Sequence, residues 1–385
     1  MNTKNKFFDS IEIVRHKELF DSSDMVVCVP TLGRISLPDC IDSISEAFPK
    51  IPIVVSYDEP KEVSTLGNNR NKLILFCKGK KLIFNDDDVF PSEMGIGKID
   101  GQFLFFSNKK ELEGSIDRIK IDLTDYYNKF FEIPNFIAAS GGVYGNYIED
   151  NPFLRIVGCL SPNKIKNLTK ETYELIKTGK FYICQFNIGN SLVDRSFIGA
   201  HFLLDTRKVP LIPFYPFFRA QCSLYYTMTR IFYPNYTMYC LPYIFFHNPF
   251  ENRNYSNKIF DTSISFCKIL QRYFLSRPFH TMDELIQNLY NIYNNFYYYV
   301  KKEFLFYVDM YESTLHNFKK INVSPSYVQE DVERFLTILH EVKDRINKGE
   351  NVKILDTNLS FEEVRETIFY YIEYLKGWFK AWENR

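Results

Sequence analysis

The sequence has no cysteine pattern. Its eight cysteines, Cys28, Cys40, Cys77, Cys159, Cys184, Cys222, Cys240 and Cys267, are scattered, with no two at a CxxC spacing. Most lie among apolar residues, so neither a zinc site nor a disulfide framework is expected, and reduced, buried thiols are. Long apolar runs are also missing. No stretch reaches 18 apolar residues, and the nearest, residues 239–246, is short and broken by Pro242; neither spans a bilayer. Residues 1–20 mix Lys, Asp and Glu without an apolar centre, so no signal peptide is expected. Net charge is absent, with Lys+Arg 47 against Asp+Glu 47, which disfavours a chain whose main work is to grip nucleic-acid backbone. No internal repeat or low-complexity tract is found. These absences together predict a cytoplasmic protein with free thiols.

What is present is an ordinary globular profile, 45% hydrophobic and 24% charged over 385 residues, which excludes disorder of the whole chain. The length suggests two domains. Aromatics are many, Tyr 27 and Phe 37 against Trp 2, a bias that fits AT-rich coding.

Residues 25–29, MVVCV, read as a buried strand that feeds the loop Pro30-Thr31-Leu32-Gly33-Arg34. Residues 38–48 carry apolar side chains at helical spacing. Residues 51–55 form a second strand ending in Ser56-Tyr57-Asp58-Glu59, 66–77 a helix, and 81–84 a third strand ending in Asn85-Asp86-Asp87-Asp88. Strand and helix alternating at this pitch predict βαβ units and a parallel sheet, with ligands beyond the carboxyl ends of the strands. From 101 to 247 the pattern is mixed: strands at 102–106, 181–186, 198–204 and 236–246, helices at 116–131 and 219–232, and a glycine-rich loop at 139–145. Residues 248–257 are polar and suggest a hinge.

The rest reads as helical. Thr281 with Glu284, and Ser360 with Glu363, are capping boxes, and Ser324-Pro325 to Gly349 is a start and stop pair. An aromatic seam through Ile286, Tyr290, Tyr293, Tyr297, Val300, Phe304, Tyr307 and Tyr311 predicts one helix running to Lys319, about 55–60 Å long. The expected organisation is an α/β domain over 1–257 and an all-helical domain over 258–385. The helical part is expected to contact an acceptor, a partner or a second copy of the chain. The basic-aromatic tip Lys376, Trp378, Phe379, Lys380, Trp382 and Arg385 is an ordinary helix end or, alternatively, a peripheral membrane contact.

The chemistry concentrates in Asp86-Asp87-Asp88. In extended backbone, residues i and i+2 point the same way, so Asp86 and Asp88 are expected to project together with Asp87 opposed. Two convergent carboxylates suit Mg²⁺ or Mn²⁺ carrying diphosphate oxygens. The plain alternative is a charged surface turn. Three crowded acids without a cation would repel one another.

Here the sequence resembles the GT-A-fold glycosyltransferases, which use nucleotide-sugar donors. Residues 26–34 are similar to that family's opening strand and nucleotide loop. Asn68-Asn69-Arg70-Asn71 is similar to the segment ahead of its metal motif, 82–89 to its DxD strand, and Phe245-Phe246-His247 to its strand-end histidine. The likeness covers about residues 24–250. It implies a mostly parallel, Rossmann-like sheet domain and a nucleoside-diphosphate sugar donor, a UDP-sugar being favoured. It implies Asp88 as main metal ligand, Asp86 on the metal or the donor ribose, and His247 as last protein ligand. Pro30, Thr31 and Arg34 would line the nucleotide pocket, Asp58 would face base or ribose, Arg70 would lie near the diphosphate or the acids, and Asp87 would belong to the donor site. One departure stands out. Where inverting members carry an acidic base, this chain has Phe218-Arg219-Ala220-Gln221-Cys222. The candidates left for a catalytic base are Asp194 and Asp205, and stereochemistry stays open.

A DxDx[TV] phosphatase pattern fails at Phe90, and the single glycine of the first loop disfavours a nucleotidyltransferase. A helical interaction protein on an inert α/β domain remains an alternative. The acceptor is open among glycan, lipid-linked sugar, protein and, as in phage-type enzymes, a modified DNA base.

Overall fold

The computed structural model describes residues 10–57, 66–97, 103–106, 109–146, 169–177, 182–185, 197–248, 260–320 and 325–384. Strand β1 spans Ile11–Arg15, β2 Met25–Thr31, β3 Ile53–Tyr57, β4 Lys81–Asn85, β5 Val89–Gly97, β6 Phe103–Phe106 and β7 Ile116–Arg118. Strand β8 spans Phe136–Asn146, β9 Tyr182–Gln185, β10 His201–Asp205 and β11 Thr237–His247. The helices are α1 Leu37–Ala47, α2 Leu66–Phe76, α3 Lys109–Gly114, α4 Leu123–Phe131, α5 Lys170–Lys177 and α6 Gln221–Phe232, then α7 Phe266–Ser276, α8 Met282–Asn294, α9 Phe296–Lys319, α10 Ser326–Asn347 and α11 Phe361–Glu383.

The class is α/β with helices at the carboxyl-terminal side, and one sheet carries it in the order β1-β3-β2-β4-β10-β8-β11-β5-β7. The expected βαβ start is there: β2 runs parallel to both β3 and β4, with α1 and α2 as crossovers. The sheet as a whole is mixed, which corrects the expectation of a mostly parallel one. Strand β10 enters antiparallel between β4 and β8, and β5, β7, β6, β9 and β1 also pair antiparallel. Few helices separate the strands of the middle sequence, and antiparallel neighbours need no long crossover.

Alternation along β2 sorts two cores. Met25, Val27 and Val29 face α1 and α4, where Cys40, Ile44, Leu123 and Tyr127 are buried. Val26 and Cys28 face the other way, onto Leu73 and Ile74 of α2, Cys77 just after it, and Trp378 and Trp382 of α11. Strands buried on both faces read as unbroken apolar runs, which is why β2 and β4 were legible.

Two local expectations change. The glycine-rich stretch at 139–145 is not a loop but the interior of β8, where Gly141 lies so close to the Phe245 ring that a Cβ would meet it at 2.5 Å. The long seam helix breaks at Asn295, which leaves helical geometry and caps α8. Val300 and Phe304 of the seam are buried as expected, but over its first part the buried stripe is one position off: Leu285, Leu289, Ile292 and Phe296 are buried, whereas Tyr297 is 52% exposed.

Both capping boxes form, on Thr281 and Glu284 and on Ser360 and Glu363. Gly349 ends α10 at φ 76°, the left-handed conformation glycine suits.

The boundary expected at 257/258 falls outside the described residues. The helices beyond it share a core with the α/β part: Tyr215, Phe218 and Leu224 pack with Phe266, Leu270 and Tyr371. Tyr371 donates to the Pro213 carbonyl at 2.8 Å and Trp378 Nε1 to that of Leu211 at 2.6 Å. With Trp378 and Trp382 buried, the C-terminal tip has no tryptophan to offer a membrane. Among the described residues, no helix is long and apolar enough to cross one.

Candidate active site

The site lies where β2, β4 and β11 end together. Strand β4 delivers Asn85, and the chain then reverses: Val89 N donates to the Asp86 carbonyl at 3.1 Å, closing a tight turn over the three acids. The turn is locked from several sides. Asn85 Nδ2 donates to the carbonyls of Asp86 and Val89, both at 2.9 Å. Asp86 N donates to the Ala200 carbonyl at 2.9 Å, and Asn248 N to the Asp88 carbonyl at 2.8 Å. Because 86–88 is a turn, the rule that i and i+2 project together does not apply to it.

Asp86 therefore faces a different arginine from Asp87 and Asp88, which share Arg34, and this corrects the expected convergence of Asp86 and Asp88. Asp86 turns to Arg70, whose Nη2 lies 2.7 Å from Oδ1. Asp87 accepts from the Thr31 hydroxyl at 2.5 Å and pairs with Arg34 Nη1 at 3.4 Å. Asp88 takes a hydrogen bond from Arg34 Nη1 on Oδ2, while His247 Nε2 lies 3.4 Å from Oδ1. Strand register explains the last contact: His247 pairs with Val89 on one side and Gly145 on the other. Burial leads in pushing Asp86 up to about 6, with Arg70 pulling it down and the two neighbouring acids pushing it up. Burial also raises Asp87, against the pull of Arg34.

The remaining expected residues separate into those that hold the scaffold and those elsewhere. Pro30 is buried inside β2 opposite Ser56. Thr31 is fully buried, its hydroxyl spent on Asp87 and on accepting from Gly33 N at 2.9 Å. Arg70 is 1% exposed and lies at the acids, one of the two places expected for it. It binds Asp86, the Gly199 carbonyl at 3.0 Å and Cys222 Sγ at 3.0 Å, flanked by the Phe202 and Phe214 rings. Cys222 is held up to about 11 by burial, so its thiol is neutral. Asp205 is corrected as a catalytic base. It pairs with Lys81 at the opposite end of β4, about 13 Å along the strand from Asn85 at ~3.3 Å per residue, and is bound by Arg207 at 2.8 Å and Lys208 at 3.4 Å. Asp58 and Asp194 lie outside the described residues.

Sequence reasoning missed the groups that fix the turn. His201 is fully buried, with Nδ1 2.7 Å from Asn85 Oδ1 and Nε2 2.8 Å from the Tyr127 hydroxyl. Asn69 ties the ends of β2 and β3, donating to the Thr31 carbonyl at 3.0 Å and accepting from Ser56 at 3.1 Å. Asn69 and Asn71 flank Arg70 in sequence, and only their pairing across the fold shows that both amides are buried.

Gly145 matters for a local reason. Its φ is +123°, and a Cβ there would meet the His247 carbonyl at 2.3 Å. Gly145→Ala is expected to cost at least ~1–3 kcal/mol in backbone strain and to displace His247. The thermal melt should fall accordingly. A wild-type melting temperature would show that the strand end tolerates a side chain.

Mg²⁺ and Mn²⁺ are usually held by one or two carboxylates, substrate phosphates and water, not by a closed protein cage. Asp88 with His247 is a donor set of that size, and it fits an ion that arrives with its own oxygen ligands. Among the described residues, no group of three or more His, Cys, Asp or Glu is arranged to hold an ion unaided. In comparisons with known proteins, no family model, no curated protein and no solved structure matched the chain.

Proposed function

We propose that the chain is a metal-dependent glycosyltransferase that takes its sugar from a nucleoside-diphosphate donor. The observation that carries this is the meeting of Asp88 and His247, from two strand ends, beside Arg34 on the loop after β2. Carboxylate, imidazole and guanidinium at the carboxyl edge of a βαβ unit are the groups a metal–diphosphate needs. Asp88 and His247 would hold Mn²⁺ or Mg²⁺, which when bound neutralises charge on the departing nucleoside diphosphate. Asn85, Thr31 and Arg70 keep the acids in place, so little reorganisation is asked of the turn when the donor binds. The resemblance of residues 24–250 to the GT-A family supports the same reading.

Calorimetry with Mn²⁺ against UDP, GDP, CMP and dTDP tests it. One nucleotide should bind only with metal. Asp88→Ala should weaken that binding by roughly a hundredfold, about 2.8 kcal/mol. A folded protein that binds none of the four would lose the donor site and favour the interaction-protein reading, for which the exposed Tyr297, Tyr298, Phe369 and Tyr370 offer a surface.

A further inference from the structure

Arg34 already stands where a cation is wanted. Its Nη1 bonds Asp88 Oδ2 and lies 3.4 Å from Asp87 Oδ1. The two carboxylates are nearly sealed from water, 6% and 5% exposed. Buried carboxylates one residue apart repel unless positive charge sits between them, and the guanidinium supplies it. Arg34 is the more movable partner. Its side chain is 26% exposed, on the short loop between β2 and α1. Gly33, beside it, takes φ 76°, and nothing lies within 4 Å of where its Cβ would be. Ile35, on the other side, is 79% exposed, the most exposed large apolar side chain described. A guanidinium is also the side chain best shaped to fork onto diphosphate oxygens.

We infer that Arg34 is the resident counter-cation of the acidic turn: it occupies Asp87 and Asp88 while no nucleotide is bound, and it yields Asp88 to a divalent ion that arrives on a diphosphate, whose oxygens the guanidinium then takes. This rests on reading the site as a metal–nucleotide pocket. A metal ion alone must evict a paired guanidinium and offers it nothing in return. An ion carrying a diphosphate offers the guanidinium a new anion. Metal and nucleotide therefore help each other bind, and to the same extent in both directions. If Arg34 leaves Asp88 free in only about one molecule in ten to one in a hundred, the apparent metal affinity falls by that factor.

The test is a Mn²⁺ titration of the full chain, following the free ion by electron paramagnetic resonance, with and without UDP. Arg34→Ala should bind Mn²⁺ alone about tenfold or more tighter than wild type, and UDP should add less to its Mn²⁺ affinity. Arg34→Lys, which keeps the charge, should stay near wild type. In EDTA, Arg34→Ala should melt below wild type, and Mn²⁺ alone should restore it. Arg34→Gln carries the same expectations if alanine prevents folding. Wild type that binds Mn²⁺–UDP, with no gain for Mn²⁺ alone in the uncharged variants, overturns the inference and leaves the donor site standing. UDP binding that survives EDTA and is lost in Arg34→Ala makes the guanidinium a permanent cation, which also overturns the exchange. No Mn²⁺ binding by any of these proteins, with or without nucleotide, removes the metal site and the inference together.

Discussion

Arg70→Ala lowers the stability of the protein by about 3–5 kcal/mol at neutral pH. The guanidinium is closed in by the Phe202 and Phe214 rings at 5.7 and 5.6 Å and makes three contacts, to Asp86, the Gly199 carbonyl and Cys222. Its loss leaves a cavity, an unpaired carbonyl and a carboxylate facing two others. Breaking one half of a buried pair costs more than the pair itself contributes, because the remaining charge is stranded. Urea denaturation should show a lower midpoint at unchanged slope. The sign of the pH dependence follows from Asp86. Arg70 holds its pKa down, and burial has already raised it to about 6. Without Arg70 the carboxyl takes a proton at higher pH still, so the penalty should shrink as pH falls toward about 6 and level off below it, where wild type takes the proton too. A penalty independent of pH would mean that the cost is cavity alone. Arg70→Lys should recover only part, since an ammonium lacks the fork that reaches three partners.

Acidification gives the second large effect. Burial lowers His201 from 6.5 to about 3. Asn85 Oδ1 can only accept, because the other end of that amide donates to the Asp86 and Val89 carbonyls. His201 must then carry its proton on Nδ1 and accept from Tyr127 on Nε2. A second proton has to displace that tyrosine hydrogen bond inside the core, against the Phe245 ring at 4.0 Å. Between pH 6.5 and about 3 the unfolded chain binds this proton and the folded one does not. The His201 contribution is thus intact above pH 6.5 and is lost as pH falls. The loss is about 1.4 kcal/mol per pH unit, on the order of 4–5 kcal/mol over the window. Asp86, raised from 3.8 to about 6, acts in the opposite sense across its own window. The His201 term is therefore read as the difference between wild type and His201→Gln. Parallel stability curves for the two proteins from pH 7 to 4.5 would refute it.

The sequence was most readable where one local rule decides the outcome. Thr281 and Ser360 cap their helices as their glutamates require, and the unbroken apolar runs of β2 and β4 could only be buried strands. Strand β8 was hidden by its glycines: they read as a loop, yet they are small so that Phe245 and the His247 carbonyl can approach. Strand β5 was hidden by Pro91, Gly95 and Gly97, and β1 by its charges at a sheet edge. The phase of the aromatic seam was misjudged up to Tyr297 and right at Val300 and Phe304, because tyrosine sits as readily at a half-exposed position as at a buried one. At the site, the acids and their address at the strand ends were legible. Their directions were not, since these depend on the reversal after Asn85 and on arginines from other elements. The opposition of His247 to Asp88 followed only from the family resemblance. The antiparallel insertion of β10 had no local signature: it pairs residues about 120 apart, Asp205 with Lys81.

The chain's two tryptophans give the molecule an internal reporter. Trp378 and Trp382 both lie on α11, one turn apart, with ring centroids 6.1 Å from each other, and both are buried against the apolar face of the sheet that α2 also covers. Intrinsic fluorescence therefore sees neither layer by itself, only the seam between the last helix and the sheet. A red shift of the emission records undocking of that helix. Far-ultraviolet circular dichroism, dominated by the long helices, records their melting. Coincidence of the two signals during unfolding would mark the helices and the sheet as one cooperative unit. A fluorescence change that runs ahead would show that the seam opens first.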